Sequence, residues 1–498
     1  MSSGMTEFQD MARQAGGQPT ARSHHLAAEL TETIRLAAPM ALTQLGQIAM
    51  MTTDLAFIGR LGDEAVAAAA LGHTAYFVCF TFGLGLVVAV APLAAQAFGA
   101  GDPRQLRRAV RTGLWVALLV SIPITILLLS GEQVLLALGQ MPEAARLGQQ
   151  YLFGLVWGIA PALWFIAIRG FMGAINRPEP VLWITLAAIP ANALLVWLLL
   201  YGNWGLPKLG LFGAGLATTL VNLGTFLASL WFVMWRRPFR KYHILERLWR
   251  VDWPLMRELF LIGMPISLSM LLEYGLFGSA ALLMGLIGTA ALAAHQVALQ
   301  VTAILFMVPL GIGMAATVRV GHAVGRGDAD AVRRAGYVAL WLGITLAILF
   351  TLIVVVWRIS IADLFFGHGA TSPGTIALTA TLLVVGATYF ITDAIQTIVA
   401  GALRGLNDTR VPLLLAAVSY WLIGFPLACA LAHRPHGNAG NVRRPASARG
   451  NLDSAARRLK LSCAHYSLQR ERIRKRVRMR RNERGRCLCF RSYPHVSE

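Results

Sequence analysis

The sequence predicts an all-α polytopic membrane protein made of two pseudo-symmetric six-helix lobes. Three observations carry that prediction. Of the 498 residues, 56% are hydrophobic and only 14% charged, with a mean hydropathy of +0.59, whereas a soluble domain carries about 25% charged residues. The apolar residues gather in runs of about 20, long enough to cross a bilayer as a helix, between short polar loops. The chain also repeats itself: Gln96-Ala-Phe-Gly-Ala-Gly-Asp102 returns as His322-Ala-Val-Gly-Arg-Gly-Asp328, 226 residues later.

At that one offset Pro39 meets Pro265, Gly59 meets Gly285, Gly62 meets Gly288, Gly85 meets Gly311, and Arg107-Arg108 meet Arg333-Arg334. A register held without a gap marks a duplicated membrane unit. The space between two such halves is the natural place for a transported substrate.

Spanning helices are expected near 34–58, 74–98, 109–130, 150–173, 180–201, 212–235, 257–284, 293–320, 335–357, 376–402 and 411–432. The first six form an N-terminal lobe over 34–238, behind a cytoplasmic segment 1–33. A linker over 239–256 leads to a C-terminal lobe over 257–432 with five helices. Polar residues scattered through Met1–Arg35 leave no secretory-signal pattern, so the first helix is expected to direct insertion.

Orientation follows from the short loops. Arg104, Arg107, Arg108 and Arg111 flank one loop, Arg236, Arg237, Arg240 and Lys241 sit in the linker, and Arg326, Arg333 and Arg334 flank another. The alternate loops 131–149 and 285–292 are nearly free of positive charge. The N-terminus, the charged loops and the linker are therefore expected on the cytoplasmic side of the membrane.

The Gly-Xaa-Gly-Asp turns read as helix C-caps, with Asp102 and Asp328 placed to bond the start of the next helix. Pro39 and Pro265 read as lying near helix starts, where a missing N–H is harmless. Gly83 and Gly85, with Gly311 and Gly313, suggest close packing or a bend beside a cavity.

Ionisable residues within spanning helices cost about 2.5–3.5 kcal/mol on lenient scales and mark function by default. Three acids qualify. Asp54 lies near the end of the first helix. Glu273 lies mid-way along the seventh, opposite Gln47 in the repeat, and Asp393 lies mid-way along the tenth with Tyr389 one turn earlier on the same face. Buried carboxyls of this kind can exchange a proton or hold a monovalent cation, and an aromatic ring beside them can hold an organic cation. Asn192, His295 and Gln296 are further polar candidates for the cavity.

Net charge is +20, yet residues 434–498 hold 18 basic and 4 acidic residues and so carry +14 of it. Basic character is thus a property of the tail, and nucleic acid is not an expected partner. The five cysteines have no metal-site or disulfide spacing. Where the repeat requires a twelfth helix, the segment 433–498 offers arginine-rich polar sequence. A shifted reading frame after about Ala432 accounts for the change; a disordered basic extension is the alternative.

These residues resemble the MATE (multidrug and toxic compound extrusion) family, NorM-like branch. The resemblance rests on Pro92-Leu-Ala-Ala-Gln-Ala-Phe-Gly-Ala-Gly-Asp102, Leu292-Ala-Ala-His-Gln296, Gly263-Met-Pro-Ile266 with Glu273, and Gly401-Ala-Leu-Arg-Gly-Leu-Asn-Asp408. It implies two lobes around a central cavity, and export of cationic amphipathic drugs in exchange for Na⁺ or H⁺, by a monomer that is not an enzyme and needs no cofactor. By the same resemblance Glu273 and Asp393, with Tyr389 beside them, match the C-lobe cation site, where Na⁺ would bind, and Asp54 with Asn192 matches an N-lobe site. The rival readings are a lipid-linked oligosaccharide flippase of the same superfamily and a non-functional frameshifted product.

Overall fold

The computed structural model describes residues 18–432 apart from 138, 206, 247–248 and 367–372. The expected basic or frameshifted tail, 433–498, lies outside the described residues.

The N-terminal half runs α1 (Gln18–Ile58), α2 (Asp63–Val88), α3 (Val90–Gly99), α4 (Pro103–Leu129), the short α5 (Gly131–Ala137), α6 (Pro142–Leu155), α7 (Ile159–Ala174), α8 (Glu179–Tyr201) and α9 (Gly210–Trp235). The C-terminal half runs α10 (Trp253–Ile287), α11 (Thr289–Arg326), α12 (Ala329–Phe366), α13 (Pro373–Gly405), α14 (Arg410–Ala416), a π-helical stretch Ala417–Gly424 and α15 (Phe425–Ala432). Among the described residues no strand occurs, and ten helices are long and apolar enough to span a membrane. Helix α1 is not among the ten; Gln44, Gln47, Thr52 and Thr53 dilute its apolar run.

Helices outrun the expected spans at several ends, and two readings change with them. Pro39 lies well inside α1 and Pro265 well inside α10, not at helix starts. Each helix carries on through its proline, and a hydroxyl one turn later takes up the proline carbonyl: Thr43 donates to Pro39 O at 2.7 Å and Ser269 to Pro265 O at 2.8 Å. Those two hydroxyl residues are themselves 226 apart. In the same way α4 begins at Pro103, so Arg107, Arg108 and Arg111 belong to its first turns rather than to a loop.

The caps are as the repeat predicts. Gly101 (φ 69°) and Gly327 (φ 71°) take the left-handed conformation that ends a helix. Asp102 Oδ1 accepts from the Arg104 and Gln105 amides at 2.8 and 3.0 Å, and Asp328 Oδ1 accepts from the Ala331 amide at 2.9 Å.

The two halves meet through reciprocal contacts. A Cβ on Gly85 would lie 2.4 Å from Ser267 Cα, and one on its repeat partner Gly311 would lie 2.6 Å from Ala41 N; Ala41 and Ser267 are again 226 apart. Likewise Gly99 faces the His322 carbonyl and Gly325 the Gln96 carbonyl, at 2.3 and 2.1 Å from where a Cβ would stand. Without water to drive association in the bilayer, helices hold together where small residues let backbones approach. The halves are thus sealed on the face that carries the Gly-Asp turns. Gln96 strengthens the seal by donating to Gly405 O at 2.9 Å and accepting from Asn407 at 3.0 Å. On the same face Arg319 of α11 pairs with Glu29 and Glu32 of α1.

Between the halves, the linker is tied to α4. Arg107 pairs with Glu246, and Arg108 Nε donates to Asp252 Oδ2 at 2.5 Å.

Candidate functional site

Two polar clusters occupy otherwise apolar lobes. In the C-terminal lobe, α13 presents Tyr389, Asp393 and Gln396, while α10 presents Glu273. Asp393 is buried at 4% exposure, close enough to Glu273 for their charges to act on one another. Its Oδ1 has no hydrogen-bond partner among the described residues. The π-helical stretch brings in Tyr420, whose hydroxyl accepts from Gln396 Nε2 and which lies beside Tyr389. A π turn rotates side chains off the regular helical register and is frequent where a site has to be assembled. The carboxylates and hydroxyls together form an all-oxygen set of the kind a hard cation takes. Among the described residues no group of three His, Cys, Asp or Glu side chains converges as a metal centre.

In the N-terminal lobe, Asp54 of α1 accepts from Asn192 Nδ2 of α8 and from Thr218 Oγ1 of α9, the latter at 3.3 Å. Asn192 is fully buried, and its own Oδ1 has no partner among the described residues. Three helices are therefore tied to one carboxylate. His295 and Gln296 are not drawn into either cluster. They lie near the start of α11, with His295 Nε2 unpartnered and Gln296 exposed.

Two bases that the sequence reading passed over also lie within spanning helices. Arg169 of α7 and Arg404 of α13 face one cavity between the halves, beside Gln44 and Thr317. Arg169 Nη1 donates to Gln44 Oε1 at 2.7 Å, and Arg404 lies within electrostatic reach of Glu273. The buried charges are thus not all acidic.

A profile of the MatE family matches residues 39–198 and 265–430, one block in each half of the chain. The chain belongs to the MatE family. Relatives agree: it is 64% identical over 428 residues to the probable multidrug resistance protein NorM of Bradyrhizobium diazoefficiens, covering 86% of this chain and 92% of that protein. It is 57% identical over 417 residues to the probable multidrug resistance protein NorM of Rhodopseudomonas palustris, covering 84% and 88%. The crystal structure of the eukaryotic MATE transporter AtDTX14 superposes with a TM-score of 0.74 at 21% identity, over 82% of this chain and 90% of that one, and so shares the fold. The family resemblance and the all-α membrane fold expected from the sequence are both borne out. This MatE chain is a multi-pass membrane protein of a multidrug efflux family.

Thr218, Gln396, Tyr420 and Arg169 of this MatE protein carried no motif that would single them out, and Arg404 stood inside the Gly401–Asp408 motif without being given a role. Thr218 and Tyr420 look like ordinary helix residues. Only the cost of a buried guanidinium pointed to the arginines; Arg169 stands near the end of the helix expected over 150–173 and Arg404 just past the one expected over 376–402, where a basic residue is commonplace.

Proposed function

We propose that the protein exports cationic amphipathic compounds across the bacterial inner membrane, its N-terminus cytoplasmic, in exchange for Na⁺ or H⁺. One observation carries this reading: a buried carboxylate, Asp393, with an unpartnered oxygen beside Glu273 and two tyrosines. An acid kept in that setting is costly unless a cation or a proton completes it. Tyr389 offers an aromatic face for an organic cation at the same place.

Alternating access follows from the two halves. With the charged loops in the cytoplasm, the glycine-mediated seal closes the cytoplasmic side, and the coupling ion enters from outside to Glu273 and Asp393. Rocking of the lobes then parts Gly99 from His322 and Gly325 from Gln96, opening the cavity to drug from the cytoplasm. Asp54, held by Asn192 and Thr218, serves as the N-lobe member of the same device. A lipid-linked oligosaccharide flippase is the second reading, favoured only by Arg169 and Arg404, which suit an anionic group; the acid-and-tyrosine cluster favours cation export.

The test is dye export from proteoliposomes under imposed Na⁺ and pH gradients. Wild type is expected to export, and Glu273→Gln and Asp393→Asn to fall to background while eluting as monodisperse protein. Full gradient-driven export by both variants would overturn the assignment.

A further inference from the structure

The cavity between the halves contains chemistry that a cation exporter does not need. It has a volume of about 60 Å³ and is lined by Met40, Thr43 and Gln44 of α1, Arg169 of α7, Met314 of α11 and Arg404 of α13, with no acidic residue among its lining. Two guanidinium groups therefore face one small, otherwise largely apolar space. A buried charge is expensive unless paired. Arg404 has Glu273 within electrostatic reach, whereas no acidic side chain among the described residues interacts with Arg169, whose hydrogen bond goes to neutral Gln44. A guanidinium has five N–H donors in a planar fork, and that fork matches a carboxylate with two parallel bonds. The volume also fits: a water needs about 10–15 Å³ of such space, so the cavity has room for a carboxylate group.

We propose that Arg169 and Arg404 form an anion subsite between the lobes that binds a carboxylate, either as a free small anion or as the acidic group of an exported amphiphile. Its position suits the second source. The subsite adjoins Glu273 through Arg404, so a zwitterion can set its carboxylate on the arginines with its cationic end toward the acids. That substrate arm rests on the export reading above; the carboxylate subsite itself does not.

The test uses the full chain in phosphatidylcholine nanodiscs and two dyes of one ring system: rhodamine B, which has a free carboxylate, and its ethyl ester, which does not. Binding is read by fluorescence anisotropy for wild type, Arg169→Gln and Arg404→Gln, with size-exclusion elution as the check on folding. Each substitution is expected to lower the ratio of acid to ester affinity roughly tenfold, the loss of one charge-assisted bond. A ratio unchanged within about twofold in both variants overturns the proposal. If a Gln variant does not fold, Arg169→Lys replaces it, keeping the charge but not the fork, and the ratio is expected to fall by less.

A second measurement needs no variant. Acetate is expected to raise the wild-type thermal midpoint and to compete with rhodamine B, and its neutral isostere acetamide to do neither. Equal effects of acetate and acetamide overturn the subsite. Competition by acetate assigns free carboxylates to the site, and gradient-driven export of rhodamine B assigns the amphiphile. Export of the ester without any acid preference defeats the amphiphile arm alone, whereas export of neither dye defeats the drug-export reading.

Discussion

Ala95 and Gly321 hold the same place in the two halves of the chain, 226 residues apart, and they touch: a Cβ on Gly321 would lie 2.8 Å from that of Ala95. A residue in contact with its own repeat partner lies on the pseudo-twofold axis. The paired contacts of Gly99 with His322 and of Gly325 with Gln96 flank that axis, so the seal on the charged-loop face is one contact made twice.

The seal makes Gly325→Ala informative. Within α11 alanine improves helix propensity by about 1 kcal/mol over glycine. Across the interface its Cβ would stand 2.1 Å from the Gln96 carbonyl oxygen, a backbone atom that cannot turn aside. Overpacking of this kind costs about 1–3 kcal/mol, and here only the sealed state bears it. Spin labels at the exposed Gln105 and Asp330 are therefore expected to show longer separations in Gly325→Ala than in wild type. Gly336→Ala, where a Cβ meets open space, is expected to leave the distances unchanged. Matching distributions for wild type and Gly325→Ala would remove the glycines from the gating mechanism.

Asp393→Asn should separate stability from function. The amide has nearly the same shape, and it relieves a buried carboxyl whose Oδ1 has no partner. The thermal midpoint is expected to hold or rise, by an amount equivalent to about 1 kcal/mol, while ion-driven export is lost. A marked fall in the midpoint would mean that the carboxylate is a structural brace instead.

Much of this was legible in the sequence for a simple reason: a twofold repeat shows both ends of each reciprocal contact. The offset that aligns Asp102 with Asp328 also aligns both members of each gate contact, and the helix caps followed from Gly-Asp turns whose chemistry is local. Glu273, Asp393 and Asp54 stood out because acids are rare in apolar runs. Tyr420 could not be found, since it reaches Gln396 only through a π-helical turn that no residue pattern announces. Pro39 and Pro265 misled because a proline reads as a helix start, whereas here neighbouring hydroxyls and packing carry the helix through it.

Asn192 and Thr218 divide unequally the work of holding Asp54. Asn192 is fully buried and spans from α8 to α1, so Asn192→Ala leaves a cavity and an unsatisfied carboxylate, at a cost of about 1–3 kcal/mol. Thr218 donates over a longer 3.3 Å bond and also has the Ala214 carbonyl as partner, so Thr218→Val is expected to cost less than about 1 kcal/mol. Thermal unfolding of both variants in one detergent checks the order, and the reverse order would show that the long bond is the important one.

The Asp252–Arg108 pair ties the linker to α4, and its pH dependence has a definite sign. The Arg108 hydrogen bond above all holds the Asp252 carboxyl below the usual carboxylate range. Because the folded value is the lower one, the stabilisation is present above the unfolded value of about 3.9 and is lost as pH falls through the folded value. Arg108 is half-exposed, so the pair contributes only about 0.5 kcal/mol. Asp252 also caps α10, accepting from the Leu255 amide at 3.4 Å. Asparagine caps as well as aspartate, so Asp252→Asn isolates the ion pair, whereas Asp252→Ala removes pair and cap together at about 1.5 kcal/mol. Unfolding midpoints at neutral pH should rank wild type, Asn, Ala. As pH falls below about 3.9 and on through the lower folded value, wild type and Asn should converge; a gap between them that persists below the folded value would rule out the ion pair as its source.

The repeat makes one prediction about the gene. At the offset of 226, the counterpart of α9, Gly210–Trp235, falls on residues 436–461, and that stretch is polar and arginine-bearing, while Gly210–Trp235 is predominantly apolar and carries no charged residue. With the N-terminus cytoplasmic and α1 spanning, as the export reading has it, a C-terminal lobe of five helices would also deliver the following basic segment to the outer face, against the charge rule. A reading frame shifted near Ala432 removes both conflicts at once. Resequencing the DNA across the codons for Ala428–Asn441 and translating all three frames is expected to reveal, in another frame, a glycine-rich linker followed by an apolar run of about 20 residues. If every frame lacks such a run, the frameshift reading is wrong and the basic segment is a true part of the chain. Its sidedness would then be read from protease accessibility in sealed vesicles.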